Sequence, residues 1–207
     1  MTKINKNSIR LACIALVLIF ILGLTGCQKK LTKEEATLKV AELVEASYEL
    51  NEIVFGEGLE YIETEESKNT RYALVKENDK YNSIYDIEVA ISKVFSVKYS
   101  TTMKNTAFEG QSGAVGGTGV PARYIENKQG FLVLKEKTVH DESIDGEKLD
   151  EGYFSIDVLK YDTSTIEIKK ISRRFIEAYV TSLGGEQTIL VTLILEENGW
   201  RIDSPTY

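Results

Sequence analysis

Residues 175–202 read FIEAYVTSLGGEQTILVTLILEENGWRI, and this stretch decides the fold. Two runs rich in β-branched and aromatic residues, 175–183 and 188–195, flank a pair of glycines, as in two strands joined by a short turn. The dipeptide Asn198-Gly199 then favours a tight turn that sends residues 200–202 back as a further strand. The stretch therefore predicts three consecutive antiparallel strands.

The β pattern extends upstream to residue 122. Apolar runs or alternating apolar residues predict strands at 131–134, 153–161 and 165–171. A further short strand is expected at 71–75, after an acidic and polar stretch at 60–69 that is typical of a loop. We expect the strands from residue 122 onward to form an antiparallel meander.

The chain before residue 110 carries signals for helices. Thr32 followed by Glu35 matches a capping box, and apolar residues then recur at helical spacing, which predicts one helix over 33–55 that ends at Gly56 and Gly58. Ser83 with Asp86 forms a second capping box before a second amphipathic run. A third, shorter helix would begin at Ser96 and run toward Phe108.

Helices followed by strands indicate the α+β class. We expect the N-terminal helices to pack on one face of a curved antiparallel β-sheet meander. No internal repeat or second domain boundary is evident, so residues 33–207 are expected to form a single domain, which is an ordinary size for one hydrophobic core.

The N-terminal residues have the pattern of an export signal. Lys3, Lys6 and Arg10 precede fourteen residues without charge, 11–24. This is the length of a signal-peptide apolar region and is shorter than the ~20 residues that span a bilayer. The uncharged run leads directly into Leu24-Thr25-Gly26-Cys27.

This tetrapeptide resembles the lipobox of bacterial lipoproteins. In that family the cysteine is acylated and becomes the mature N-terminus after cleavage. The resemblance implies a signal peptide at 1–26, lipidation of Cys27, and a short membrane-proximal linker at 27–32. The domain would then be anchored by lipid (diacylglycerol, with palmitate as a typical acyl chain) on the extracytoplasmic face of the cell membrane.

The charge balance limits the partners. The chain has 25 basic and 32 acidic residues, a net charge of −7. Loss of residues 1–26 removes three basic residues and no acidic ones, which brings the charge to −10. Such a surface repels nucleic acid and anionic lipid headgroups. It favours either a cationic partner or solubility alone.

Several chemistries lack the residues that they need. Cys13 would leave with the signal and Cys27 would be acylated, so the domain would have no free thiol, disulfide or cysteine-based metal site. His140 is the only histidine, and a metal site usually needs three or four protein ligands. No serine lies in a G-x-S-x-G motif. We therefore expect a protein without catalytic, cofactor-binding or metal-binding residues.

Residues 110–119 contain five glycines and exclude regular secondary structure. The segment GTGVPA, 117–122, begins within this stretch and matches the G-x-G-x-x-A pattern of dinucleotide sites. That pattern requires a helix to open at its third position, and Pro121 with the β-like residues after it opposes one. We expect a flexible surface loop; insertion of this loop into a partner's cleft is the functional alternative.

Two further groups of residues have functional interpretations. The stretch 141–146 partly matches a calcium loop, but Gly152 stands where the bidentate glutamate is required, so a solvated acidic turn is expected. The acidic residues of this turn are candidates to face a basic partner: Asp141, Asp145, Asp150 and Glu151. Tyrosines in the first half of the domain are expected in the core or at its rim, with a ligand pocket as the alternative. They are Tyr48, Tyr61, Tyr72, Tyr81, Tyr85 and Tyr99.

The order of elements resembles two groups of small secreted bacterial domains. The closing ENGWRIDSP, 197–205, resembles the last hairpin of lipoproteins with an NTF2-like or cystatin-like cone. Arg71-Tyr72, a polar gap and the helical run 84–99 resemble the IseA-type inhibitors of cell-wall DL-endopeptidases. The resemblances imply a non-catalytic binding module of the cell envelope, in its sharpest form an inhibitor of a cell-wall peptidase. An NTF2-like small-ligand binder and an enzyme of unknown reaction remain the alternatives.

Overall fold

The computed structural model describes residues 30–65, 67–110, 121–135, 143–144, 147–148 and 157–207. Residues 31–207 belong to one compact unit. Across the described ranges the unit is α+β, with three α-helices and two four-stranded antiparallel sheets. None of the helices in these ranges combines the length and apolarity that a membrane span requires.

Helix α1 (Lys33–Val54) begins at the predicted capping box. The Thr32 hydroxyl accepts from the amide of Glu35 at 3.2 Å, and the Glu35 carboxylate accepts from the amide of Thr32 at 2.7 Å. Two amide groups that the helix leaves without intrahelical partners are thereby satisfied. The predicted helix is confirmed within one residue at its end.

Two shorter helices follow, α2 (Ile84–Val94) and α3 (Val97–Lys104). Both start where the sequence predicts, because the hydroxyls of Ser83 and Ser96 each accept from the amide three residues on. A π-helical turn, Asn105–Glu109, extends α3.

The four strands after residue 160 form sheet B, which confirms the meander in this part of the chain. They are β7 (Tyr161–Ile171), β8 (Phe175–Ser182), β9 (Thr188–Glu196) and β10 (Gly199–Ile202), in that spatial order. Gly199 pairs with Glu196 across the predicted tight turn and has a φ of 114°, a conformation that favours glycine. Residues 157–160 have no regular structure, so the expected strand at 153–161 is wrong for these residues, while Tyr161 opens β7.

The other four strands form sheet A, which differs from the single meander expected. In chain order they are β1 (Tyr61–Ile62), β2 (Tyr72–Val75), β3 (Tyr124–Asn127) and β4 (Gly130–Leu134), and their spatial order is β1-β2-β4-β3. The β3–β4 hairpin pairs with β2, Ala73 opposite Val133, because all three strands bury apolar residues there. The segment 60–69, expected as a loop, supplies the edge strand β1. Two short strands, β5 (Ser143–Ile144) and β6 (Glu147–Lys148), pair with each other.

The core lies where α1 packs on sheet B. Val40 and Val44 of α1 are fully buried, as are Ala178 and Val180 of β8 and Val191 of β9. Burial of such side chains stabilises the fold by about 1.5–3 kcal/mol each for the larger ones. The expectation that the N-terminal helix packs on the sheet is confirmed.

The C-terminal residues close this core. The Asn51 side chain is fully buried and donates to the carbonyl and the hydroxyl of Thr206, at 2.8 and 2.9 Å. The rings of Phe55 and Tyr207 stack with centroids 4.0 Å apart. The C-terminal residues are therefore held at the end of α1.

Candidate functional site

A buried arginine fixes the C-terminal end of α1. The Arg123 side chain is 1 % exposed, and its Nη2 donates to the carbonyl oxygens of Gly56 and Glu57. The last carbonyls of a helix carry partial negative charge, so a guanidinium is favourable there. Gly58, with a φ of 84°, brings the backbone close against this guanidinium.

Tyr124 holds the same end of α1 from the neighbouring position. Its hydroxyl donates to the carbonyl of Ile53 at 2.8 Å and accepts from the amide of Leu59 at 3.1 Å. Burial raises the pKa of Tyr124, so the phenol stays protonated and keeps this donor. Strand β3 therefore determines where the chain leaves α1 and where residues 57–60 lie.

An acidic groove of about 560 Å³ lies beside this end of α1. One side is the second half of α1 with residues 58–60, and the other is the loop 76–81 that leads from β2 to α2. Five carboxylates and two lysines line it, which gives a formal charge of −3. The charged residues are Glu49, Glu52, Glu60, Glu77, Asp79, Lys76 and Lys80.

The two lysines neutralise only part of the acidic groove. Lys80 Nζ lies 2.9 Å from both carboxylate oxygens of Glu49, and Lys76 Nζ lies 2.8 Å from Glu60. Glu52, Glu77 and Asp79 form no ion pair with any residue in the described part of the chain. Exposed ion pairs are weak, and three carboxylates have no such pair. The groove therefore keeps a negative electrostatic potential that attracts cations.

The titration of the groove residues follows the same contacts. The hydrogen bond and charge of Lys76 lower the pKa of Glu60, and Glu60 in turn raises the pKa of Lys76. Burial and the neighbouring Glu49 carboxylate raise the pKa of Tyr81 to about 12. At neutral pH Glu60 is therefore ionised and Tyr81 is a neutral phenol.

The acidic groove lacks several common catalytic side chains. Histidine, cysteine and serine are missing from its lining, so it holds no histidine base and no serine or cysteine nucleophile. Throughout the described ranges, no group of three or more His, Cys, Asp or Glu side chains is arranged to hold a metal ion. The arrangement can hold lysine or arginine side chains of a partner.

Most of the sequence-predicted site residues fall outside the described residues. They are Cys27, residues 111–119 of the glycine-rich stretch 110–119, His140, and the acidic turn residues Asp141, Asp145, Asp150 and Glu151. Their predicted roles stay predictions. Trp200 is partly buried and packs against the core.

The structure does not bring the six tyrosines to one pocket. Tyr48 bonds to the backbone of β7, Tyr72 donates to the carbonyl of Ala122 at 2.7 Å, and Tyr99 packs on Phe95. Tyr81 lines the acidic groove, while Tyr61 and Tyr85 are 38 % and 70 % exposed. Four of the six, Tyr48, Tyr72, Tyr81 and Tyr99, thus pack in the core or at its rim.

Sequence reasoning missed the acidic groove. Its members come from two segments, 49–60 and 76–81, which only the folded chain brings together. The density of acidic residues in both segments is the signal from which the groove could have been predicted. A scan against protein-family models and a search of curated proteins found no match to this chain.

Proposed function

We propose that this chain is a lipid-anchored, extracytoplasmic and non-catalytic binding module of the cell envelope. Its acidic groove holds the basic surface of a protein partner. The class of partner is a cell-wall peptidase, which the module inhibits, in line with the IseA-type resemblance of 71–72 and 84–99. Cys27 carries the lipid that keeps the module at the membrane.

One observation carries the proposal: three groove carboxylates, Glu52, Glu77 and Asp79, face no ion-pair partner in the described part of the chain. A negative groove steers a positive partner and speeds its association, by 10-fold or more at low salt. The chain's net charge of −7 has the same sign and adds to this attraction.

The packing of the core favours the proposal of a protein partner over that of a small ligand bound inside the fold. Between α1 and sheet B the space is occupied by fully buried side chains such as Val40, Val44, Ala178 and Val191. The long helix on an antiparallel meander also supports the finer proposal of an NTF2-like or cystatin-like cone. In that case the outer rim of the cone acts as the binding surface.

The test measures association of the full-length chain, in neutral detergent, with a purified DL-endopeptidase. The variant Glu52→Gln/Glu77→Gln/Asp79→Asn removes three groove charges. We expect its association rate to fall by about 10-fold at low ionic strength, and the difference to shrink near 0.15 M salt, where charges beyond ~8 Å are screened. The original chain should slow the digestion of peptidoglycan by this endopeptidase, and the variant should slow it less.

The matched control is Glu109→Gln/Glu186→Gln/Glu197→Gln, which removes three exposed charges away from the acidic groove. It should keep most of the association rate, because only distant, screened charges change. Equal losses for the two variants would show that net charge rather than the groove matters. Absence of binding to a panel of envelope peptidases would reject this class of partner.

A further inference from the structure

A second groove, of about 490 Å³, has the opposite charge. It lies between α2, the end of α3 and the turn that joins β9 to β10. Its charged residues are Lys93, Lys104, Arg201 and Glu88, which give a formal charge of +2. This basic groove stands out on a chain whose net charge is −7.

Arg201 is held rigidly at the basic groove. Its Nε donates to the carbonyl of Ser92 at 3.1 Å, Nη1 to that of Trp200 at 2.8 Å, and Nη2 to that of Asn198 at 3.0 Å. Ser92 lies in the last turn of α2, where carbonyls lack intrahelical partners, which explains the first bond. The guanidinium is thus fixed by neutral groups alone.

The fixed guanidinium keeps capacity for a ligand. It carries five N–H donors, and each nitrogen uses one of them here. Neither the Nη1 nor the Nη2 atom makes a second hydrogen bond to the described part of the chain. Because the geometry is already set, little side-chain entropy is lost when an anion binds.

The two lysines of the basic groove also differ from five lysines that are paired elsewhere on the described chain. Lys39, Lys68, Lys76, Lys80 and Lys169 each form an ion pair with a glutamate. Neither Lys93 nor Lys104 has such a pair among the described residues. The groove therefore collects three cations whose charges are not neutralised by direct contact with a carboxylate.

We propose that the basic groove binds the phosphate group of a soluble phosphate monoester. A phosphate monoester carries a charge of about −1.5 to −2 at neutral pH, which matches the formal +2 of the groove. A single carboxylate would leave an excess of positive charge. Arginine also suits phosphate because its N–H groups can bond two oxygens at once.

Isothermal titration calorimetry gives a direct readout of this site. The experiment titrates glycerol 3-phosphate into the full-length chain in neutral detergent and follows the heat of binding at constant ionic strength. We expect a saturable change with glycerol 3-phosphate and none with an equal ionic strength of chloride.

Variants separate the groove from general charge. Lys93→Gln and Lys104→Gln should each weaken binding by about two- to fivefold, the usual range for an exposed charge pair. Lys98→Gln, on α3 but outside the groove, should change it by less than about twofold. The side chains of these lysines make no hydrogen bond in the described chain, so the variants should fold normally, whereas Arg201→Gln would also loosen the turn.

Three results would overturn the proposal. The first is the absence of a saturable change with glycerol 3-phosphate. The second is an equal loss of affinity for Lys98→Gln and the two groove variants. The third is a response only to phosphatidic acid added to the micelles, which would assign the groove to a lipid headgroup instead of a soluble ligand.

Discussion

The hydroxyl of Tyr48 makes two hydrogen bonds to the backbone of Tyr161: it donates to the carbonyl at 2.7 Å and accepts from the amide at 2.8 Å. Tyr48 lies on α1 and Tyr161 is the first residue of β7. One side chain therefore satisfies both polar groups of the residue at which sheet B begins, and it fixes the helix along the strand.

Replacement of this hydroxyl tests the contact. Tyr48→Phe should lower the free energy of unfolding by about 1–2 kcal/mol, because the amide and carbonyl of Tyr161 lose their partner in a partly buried place. Urea denaturation of the full-length chain in detergent measures the change. Tyr85→Phe is the control, since Tyr85 is 70 % exposed, and it should stay within about 0.5 kcal/mol. Equal stability of Tyr48→Phe and the original would contradict the role.

Two glycines with positive φ separate backbone strain from steric overlap. Gly185→Ala, with φ 75° and nothing within 4 Å of the new Cβ, should cost only the strain, about 1–2 kcal/mol. Gly58→Ala, with φ 84°, also overlaps the guanidinium of Arg123 and disturbs its bonds to Gly56 and Glu57. It should cost about 1.5–3 kcal/mol more. Equal unfolding free energies of the two variants would argue against the Arg123 contact.

Alkaline pH should unfold the protein in part through Tyr81. Its pKa is raised from 10.0 to about 12 in the folded state, by burial and then by Glu49. Because of this raised pKa, Tyr81 loses its proton at lower pH in the unfolded state than in the folded state. The contribution of the protonated Tyr81 to the free energy of unfolding is therefore complete below pH 10 and is lost as the pH rises toward 12.

The variant Tyr81→Phe isolates this contribution. Its unfolding free energy should fall less steeply between pH 10 and 12 than that of the original chain. Glu49→Gln should instead lower the pKa of Tyr81, which tyrosinate absorbance at high pH reports. An unchanged slope for Tyr81→Phe would mean that the phenol is not protected in the folded state.

Lipidation of Cys27 is a separate prediction. Cys27→Ala should release the chain from the membrane fraction or leave it uncleaved. Stable anchoring needs more than one acyl chain, and this variant has no cysteine at position 27 to carry any. Cys13→Ala should stay at the membrane, since the signal is removed. Mass spectrometry of the N-terminal peptide checks the modification; an unmodified Cys27 in the original chain would disprove it.

Local signals predicted the helices and sheet B well. The hydroxyls of Thr32, Ser83 and Ser96 cap helices where expected, since capping depends on residues three positions apart. The turn at Asn198-Gly199 is also local, because it needs only a residue that tolerates positive φ.

Sheet A and the grooves depended on contacts between distant segments. Strand β2 pairs with β4 about 60 residues later, and no local pattern specifies that choice. Arg123 was not predicted inside the fold, since charged side chains are seldom fully buried. Its partners are two carbonyls just after the end of α1, 67 and 66 residues earlier, which only the folded chain brings near.

The bond between Asn51 and Thr206 imposes an order on the biogenesis of the protein. Asn51 precedes Thr206 by 155 residues, so a chain that emerges from its N-terminus cannot complete this contact until residue 206 has emerged. Closure of long loops is slow compared with local helix formation. The end of α1 near Asn51 therefore completes its contacts only after all four strands of sheet B have been synthesised.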